Sequence, residues 1–160
     1  MSTTEETNKP VTEKKARVQK EIPYKQAVIM LVIGDMICFL IFAALGRNSH
    51  GETSGFAAIP QIIVTALPFA AGWFLVSPFV GAFRHKILAH PRAMVIRTLL
   101  AWLLSWPVAM LLRRIFVNDG ISPLSFAIFA IVVLLFNMLL LLLWRWPFAL
   151  YNSRRKRRFT

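Results

Sequence analysis

Asp35 is the residue of this chain whose type and position could most directly do chemistry. It is the only charge in an apolar run from Ala27 to Gly46, which Lys25 and Arg47 bracket. At ~1.5 Å per residue, a helix would carry Asp35 about 15 Å beyond Lys25, near the centre of a ~30 Å hydrocarbon layer. A carboxylate at that depth is costly and is a functional candidate by default. It could serve as a proton or cation site, as a catalytic acid or base, or as a polar contact that locks helix packing.

The helical repeat predicts which way Asp35 faces. We expect it to face other helices, because a midplane carboxylate on the lipid side would lack any partner. The stripe that shares this face comprises Leu31, Asp35, Cys38 and Phe42. A partner should then lie at a similar depth on another helix.

A polar partner is the first expectation for Asp35, and an ion pair is the alternative. The polar candidates are Asn137, Ser105 and Thr65, and the ion-pair candidates are Arg97 and Arg145. Asn137 is the favoured candidate in the last apolar run. Trp146 and Pro147 are interpreted as the end of that helix, which places Asn137 at about the depth of Asp35. Arg145 would lie about 12 Å farther along, although a long side chain could cover part of that distance.

Other side chains in apolar surroundings are weaker candidates. Trp73 and Trp102 lie deep and could pack the interior or line a pocket. Arg113 and Arg114 follow an apolar run; interface snorkelling explains most such arginines, and an anion contact is the other interpretation.

Classical catalytic and metal motifs are missing from the sequence. The three histidines share no metal-ligand spacing, and the single cysteine, Cys38, can form no internal disulfide. No phosphate-binding glycine loop or nucleophile motif occurs. We therefore predict no metal and no cofactor, and the interpretation as an enzyme is the least supported.

Four long apolar runs must position these residues. Hydrophobic residues make up 57% of the 160 residues and charged residues only 16%, which excludes a disordered chain, a collagen and a disulfide scaffold and argues against a soluble enzyme. The runs are continuous rather than alternating, so they favour helices over a β-barrel. We predict an all-α, four-helix transmembrane bundle over 23–150, with helices at about 26–46, 56–83, 94–117 and 122–148.

The basic residues predict the orientation. Of 19 Lys and Arg, six precede residue 26, four lie between residues 84 and 97, and five form the end of the chain. This bias predicts a multi-pass protein of the inner (plasma) membrane with both termini in the cytoplasm.

Residues 1–22 are predicted to be a disordered tail. Residues 151–160 are predicted to be a basic tail on anionic lipid headgroups, through Arg154, Arg155, Lys156, Arg157 and Arg158. A nucleic-acid partner is not predicted, since no folded basic domain accompanies the tail.

The order of several short motifs resembles one family. They are Gly34-Asp35, Pro68-Phe69 with Gly72-Trp73, Ala101-Trp102, Leu112-Arg113, Pro123 and Trp144-Arg145. Together they resemble a family of short four-helix prokaryotic membrane proteins, the domain of unknown function numbered 3054. The resemblance covers about 24–145 and implies a bacterial or archaeal inner-membrane protein. It implies no activity, and it places Asp35, Trp73, Trp102, Arg113 and Arg145 in the family pattern.

Three functions remain open at this point. The first is transport of a small solute, an ion or a proton, with Asp35 as the site, Arg113 as an outer anion contact and a homo-oligomer supplying the pathway. The second is a structural or accessory membrane protein in which Asp35 only locks the packing. The third is a membrane-embedded enzyme that modifies a lipid, for which Asp35 has no second deep carboxylate or histidine beside it.

Overall fold

The protein forms four helices. A computed structural model describes residues 22–48, 58–116, 120 and 122–157, and contains no strand in that part of the chain. The helices are α1 (Tyr24–Asn48), α2 (Ile59–Val80), α3 (Pro91–Phe116) and α4 (Pro123–Arg157). The predicted all-α class is therefore confirmed. The predicted disordered tail lies outside the described residues, apart from Ile22.

Each helix is long and apolar enough to cross a membrane. The shortest candidate span, in α2, has 22 residues, which is about 33 Å of helix against a hydrocarbon core of ~30 Å. Large apolar side chains cover the outward faces of all four helices, as Ile33, Leu75, Leu104 and Leu135 illustrate. Because an exterior of this kind is favourable only in contact with lipid, the four helices indicate a multi-pass membrane protein.

Two helix boundaries differ from the predicted ones. Helix α2 ends at Val80 rather than at residue 83, because Gly81 takes a left-handed conformation (φ +78°) and its N–H donates to the Pro78 carbonyl. Helix α4 continues to Arg157 instead of ending near residue 148. Pro147 lies inside it, so the proline does not end the helix; neighbouring helices and local adjustment tolerate prolines within membrane helices.

The extension of α4 corrects the assignment of the basic tail. Arg154, Arg155, Lys156 and Arg157 belong to the helix, whereas Arg158 lies outside the described residues. Most of the predicted basic tail therefore lies in α4, and its contact with anionic lipid stays a prediction.

The helices pack as a ring in chain order. Helix α1 contacts α2 and α4, and α3 contacts α2 and α4, whereas the diagonal pairs make no close backbone contact in the described residues. The interior is filled by large side chains with no exposed surface, among them Phe39, Phe69, Trp73, Trp102 and Leu141. Up-and-down packing of this kind brings the start of α1, the loop after α2 and the end of α4 to one end of the bundle, called here the termini end.

Two tryptophans of α3 join it to α4. Trp102 Nε1 donates to the Leu134 carbonyl and Trp106 Nε1 donates to the Ala130 carbonyl, both at 2.9 Å. The donors are four residues apart on one helix and the acceptors four apart on the other, so each pair repeats the same contact one turn along. Trp102 is thus a packing residue, and it lines neither of the cavities described below.

Candidate functional site: a buried ion pair

Helix α1 carries Asp35 into the bundle beside a glycine that lets α4 approach. A Cβ on Gly34 would overlap the indole of Trp144, at less than 2.5 Å from several of its atoms. Only a residue without a side chain therefore permits this contact. The close approach sets the register of α1 against α4, and it brings Arg145, next to Trp144, level with Asp35.

Arg145 forms a two-pronged ion pair with Asp35. Its Nε donates to Oδ1 at 2.9 Å and its Nη2 donates to Oδ2 at 2.5 Å. Neither side chain has any exposed surface. This is the planar fork geometry in which a guanidinium binds a carboxylate most strongly. The pair joins α1 to α4 in the half of the bundle nearer the termini end.

Trp73 of α2 completes the site. Its Nε1 donates to Asp35 Oδ2 at 3.0 Å. The indole ring also lies 4.8 Å from the guanidinium carbon of Arg145, and the ring of Phe83 lies 4.7 Å from the same carbon. Both contacts are within cation–π distance.

The third nitrogen of the Arg145 guanidinium, Nη1, contacts the loop after α2 and helix α3. Arg145 Nη1 donates to the Ala82 carbonyl at 3.1 Å and lies 3.9 Å from the Met94 sulfur. The Ala82 carbonyl is available because α2 ends at Val80 and Gly81 caps it, so Ala82 lies outside the helix. The site thus joins all four helices and the loop after α2 through a single guanidinium.

The structure selects the alternative partner for Asp35. Asn137 is fully buried, but its Nδ2 donates to the Val133 carbonyl of its own helix at 3.1 Å. Ser105 likewise donates to Ala101 of its own helix, at 2.6 Å. The expected polar contact to these residues is therefore wrong, and Thr65 on α2 makes no hydrogen bond to Asp35 either.

The two other arginine candidates lie away from the site. Arg97 is exposed and donates to the Val80 carbonyl at 2.8 Å. Arg113 lies at the opposite end of the bundle, with its guanidinium carbon 4.3 Å from the centre of the Phe129 ring. Arg114 makes a similar, longer contact with Phe126 at 5.3 Å. These contacts fit cations that extend along aromatic faces toward the membrane surface.

Two contacts at this site were not foreseen from the sequence. Trp73 was expected to pack or to line a pocket, not to donate to Asp35, and the Ala82 carbonyl carries no signal in its residue type. A usable signal existed for Trp73, since an indole N–H in a buried position almost always finds an acceptor.

The chemistry available at the site is limited, because both oxygens of Asp35 already accept hydrogen bonds. Three N–H groups occupy the two oxygens of Asp35, and its charge is balanced by Arg145. Asp35 is also the sole carboxylate side chain in the described part of the chain. Within that part, no three His, Cys, Asp or Glu side chains lie together as metal ligands. The arrangement suits a fixed polar contact between helices.

The fold and the site together are those of a small polytopic membrane protein whose helices meet at a buried ion pair. The chain belongs to the DUF3054 family, described as a protein of unknown function, whose sequence profile matches residues 32–148. The resemblance noted in the sequence is thereby confirmed, and the matched range contains Asp35, Trp73 and Arg145. No curated protein and no solved structure matches the chain.

Trp73→Phe tests the indole contact. The substitution keeps an aromatic ring near Arg145 but removes the donor to Asp35, so we expect a loss of ~1–3 kcal/mol in unfolding free energy. The measurement is thermal or detergent-induced unfolding of the purified protein.

Trp102→Phe is the matched control, because Trp102 is equally buried and its acceptor is the uncharged backbone carbonyl of Leu134. That carbonyl lies inside α4, where it can keep its helical bond. We expect a smaller loss than for Trp73→Phe. An equal or larger loss at Trp102 would show that the contact with Asp35 carries no special weight.

Proposed function

We propose that this protein is a structural or accessory membrane protein in which the Asp35–Arg145 pair is a fixed lock between helices. The observation that carries the proposal is that both oxygens of a carboxylate with no exposed surface accept hydrogen bonds from the protein. An ion site needs free ligand oxygens and a path to them, whereas here every oxygen of Asp35 accepts from the protein. Charge pairing also removes the net charge that would attract a cation.

The competing proposals have less support. Transport through Asp35 would require the pair to open, and the cavities at the bundle surface are lined by other residues. A lipid-modifying enzyme would need a second acid or base near Asp35. The described residues contain no second carboxylate side chain, and their histidines, His85 and His90, lie in the loop after α2. Association into a homo-oligomer stays a prediction.

A flux experiment separates a lock from an ion site. The full chain and the variant Asp35→Leu with Arg145→Met are reconstituted into vesicles that contain dyes sensitive to protons or to sodium and potassium. The proposal expects neither protein to raise the flux above that of protein-free vesicles. A flux carried by the parent and lost in a variant that still assembles would overturn it, because the pair would then be needed for conduction and not for folding.

Topology is a second part of the proposal. The described basic residues at the termini end include Lys25, Arg84, Lys86, Arg92 and Arg155, against Arg47, Arg113 and Arg114 at the other end. By the positive-inside rule the termini end faces the cytoplasm. Reporter fusions at Thr160 and within residues 8–20 are expected to read cytoplasmic, and a fusion within residues 49–57 to read external. An external signal from either terminus would contradict this orientation.

A further inference from the structure

A cavity of about 250 Å³ opens at the termini end, away from the ion pair. It lies between the start of α1, the loop of residues 81–90 and the last turns of α4. Six polar side chains line it, namely Tyr24, His85, Lys86, His90, Asn152 and Arg155. We call this cavity the basic pocket.

The charge of the basic pocket is one-sided. Lys86 contributes an ammonium group and Arg155 a guanidinium, and neither has an ion-pair partner among the described residues. The only carboxylate in that part of the chain, Asp35, is already bound to Arg145. Imidazole and amide groups add further hydrogen-bond donors. An anion with several acceptor oxygens would satisfy these donors together.

The walls of the basic pocket are held in place. The Tyr24 hydroxyl donates to the Phe83 carbonyl at 3.0 Å, and its ring lies 5.5 Å from that of His85. Within the loop, the N–H of His90 donates to the Ile87 carbonyl at 3.0 Å. Leu88 and Ala27 are buried beneath the pocket. These contacts hold the loop backbone and the rings of Tyr24 and His85 in place before a ligand arrives, which lowers the entropy that this part of the wall loses on binding.

The size and position of the basic pocket indicate the ligand class. Its volume is below the ~300–1,000 Å³ of pockets for drug-sized ligands, so it suits a small group. It lies where the membrane-spanning helices end, among cations and the exposed aromatic rings of Trp146 and Tyr151, and this is the headgroup level of a bilayer. Arginine and lysine beside each other are typical of phosphate recognition.

We propose that the basic pocket binds a phosphate group, supplied either by an anionic phospholipid headgroup or by a small soluble phosphate. The pocket contributes Lys86 and Arg155 as the charged contacts, and His85, His90 and Asn152 as further hydrogen-bond donors. This inference does not depend on whether Asp35 is a lock or an ion site, because the two sites share no residue.

The test uses the purified full chain and two variants with the same change in charge. Lys86→Gln with Arg155→Gln alters the basic pocket. Arg92→Gln with Arg154→Gln is the control. It removes one positive charge from the first turn of α3 and one from the same helix, α4, at positions that line a neighbouring cavity and not the basic pocket. The helix content and the gel-filtration profile of each variant in detergent establish that it folds. If the double pocket variant does not fold, Lys86→Gln alone replaces it.

Two probes distinguish the source of the phosphate. Inorganic phosphate is titrated by calorimetry into protein in a neutral detergent. Retained phosphatidylglycerol is counted by native mass spectrometry after extraction from nanodiscs that contain it together with phosphatidylcholine. Binding of inorganic phosphate indicates a soluble ligand, and selective retention of phosphatidylglycerol alone indicates a lipid.

The expected result is a loss of affinity confined to the pocket variant. Removing both charged contacts should weaken binding of the active probe by about tenfold or more, against about twofold or less in the control. Equal weakening by both variants would show a diffuse basic surface and would overturn the proposal. So would a parent protein that binds neither probe.

Discussion

Asp35→Asn is expected to lower the free energy of unfolding by about 3–5 kcal/mol, the cost of breaking a buried ion pair from one side. The change leaves the Arg145 guanidinium with no exposed surface and no balancing charge. Arg145→Met should have an effect of similar size, because it strands the carboxylate instead. Unfolding followed by the tryptophan fluorescence of the purified protein measures both losses.

The double variant Asp35→Leu with Arg145→Met is expected to recover most of that loss. Replacing both members of a buried pair by apolar groups of similar volume is often neutral or stabilising, since the cost of desolvating two charges disappears. The recovery should be incomplete here, because the Trp73 N–H and the Ala82 carbonyl lose their partners. A double variant as unstable as the sum of the single variants would show that the two side chains act independently.

Gly72→Ala is the second large expected effect, a loss of ~1–3 kcal/mol from overpacking. A Cβ at this position of α2 would lie 2.8–2.9 Å from the Cβ, Cα and N of Ala109 on α3. Because two of these atoms are backbone, no rotamer change can relieve the overlap, and the two helices would have to move apart. Thermal unfolding in detergent measures the loss.

Gly46→Ala is the control for this substitution. Among the described residues, a Cβ on Gly46 would meet no atom within 4 Å, and alanine is the better helix former by up to about 1 kcal/mol. We therefore expect no loss of stability, or a small gain. If Gly72→Ala proved as harmless as Gly46→Ala, α2 and α3 would not be in the close contact described here.

Both effects bear on how such a bundle holds together in lipid. Apolar side chains gain little by leaving lipid tails for one another, so association rests on close packing and on polar contacts. The glycines allow the helices to approach, and the Asp35–Arg145 pair supplies a contact that lipid cannot offer. The proposed lock therefore adds to this packing a polar contact in which each charged side chain depends on the presence of the other.

The sequence by itself determined the four apolar helices and the all-α class, because hydrophobic length leaves a chain few alternatives to crossing a membrane. It also determined that Asp35 has to find a partner inside the protein, since an unpaired carboxylate in lipid is prohibitive. The family could be identified as well, because the order of the motifs along the chain can be read without knowing which residues are in contact.

Only the tertiary structure decided which partner Asp35 takes. The depth estimated from helix ends placed Arg145 too far along its helix to meet Asp35. That estimate took Pro147 as the end of the helix, whereas α4 continues to Arg157. The true register follows from the packing of Trp144 on Gly34, a contact between residues far apart in the chain. Sequence spacing describes one helix at a time, whereas depth relative to another helix depends on how two surfaces interlock. For the same reason, the indole of Trp73 and the carbonyl of Ala82 entered the site only when the helices were assembled.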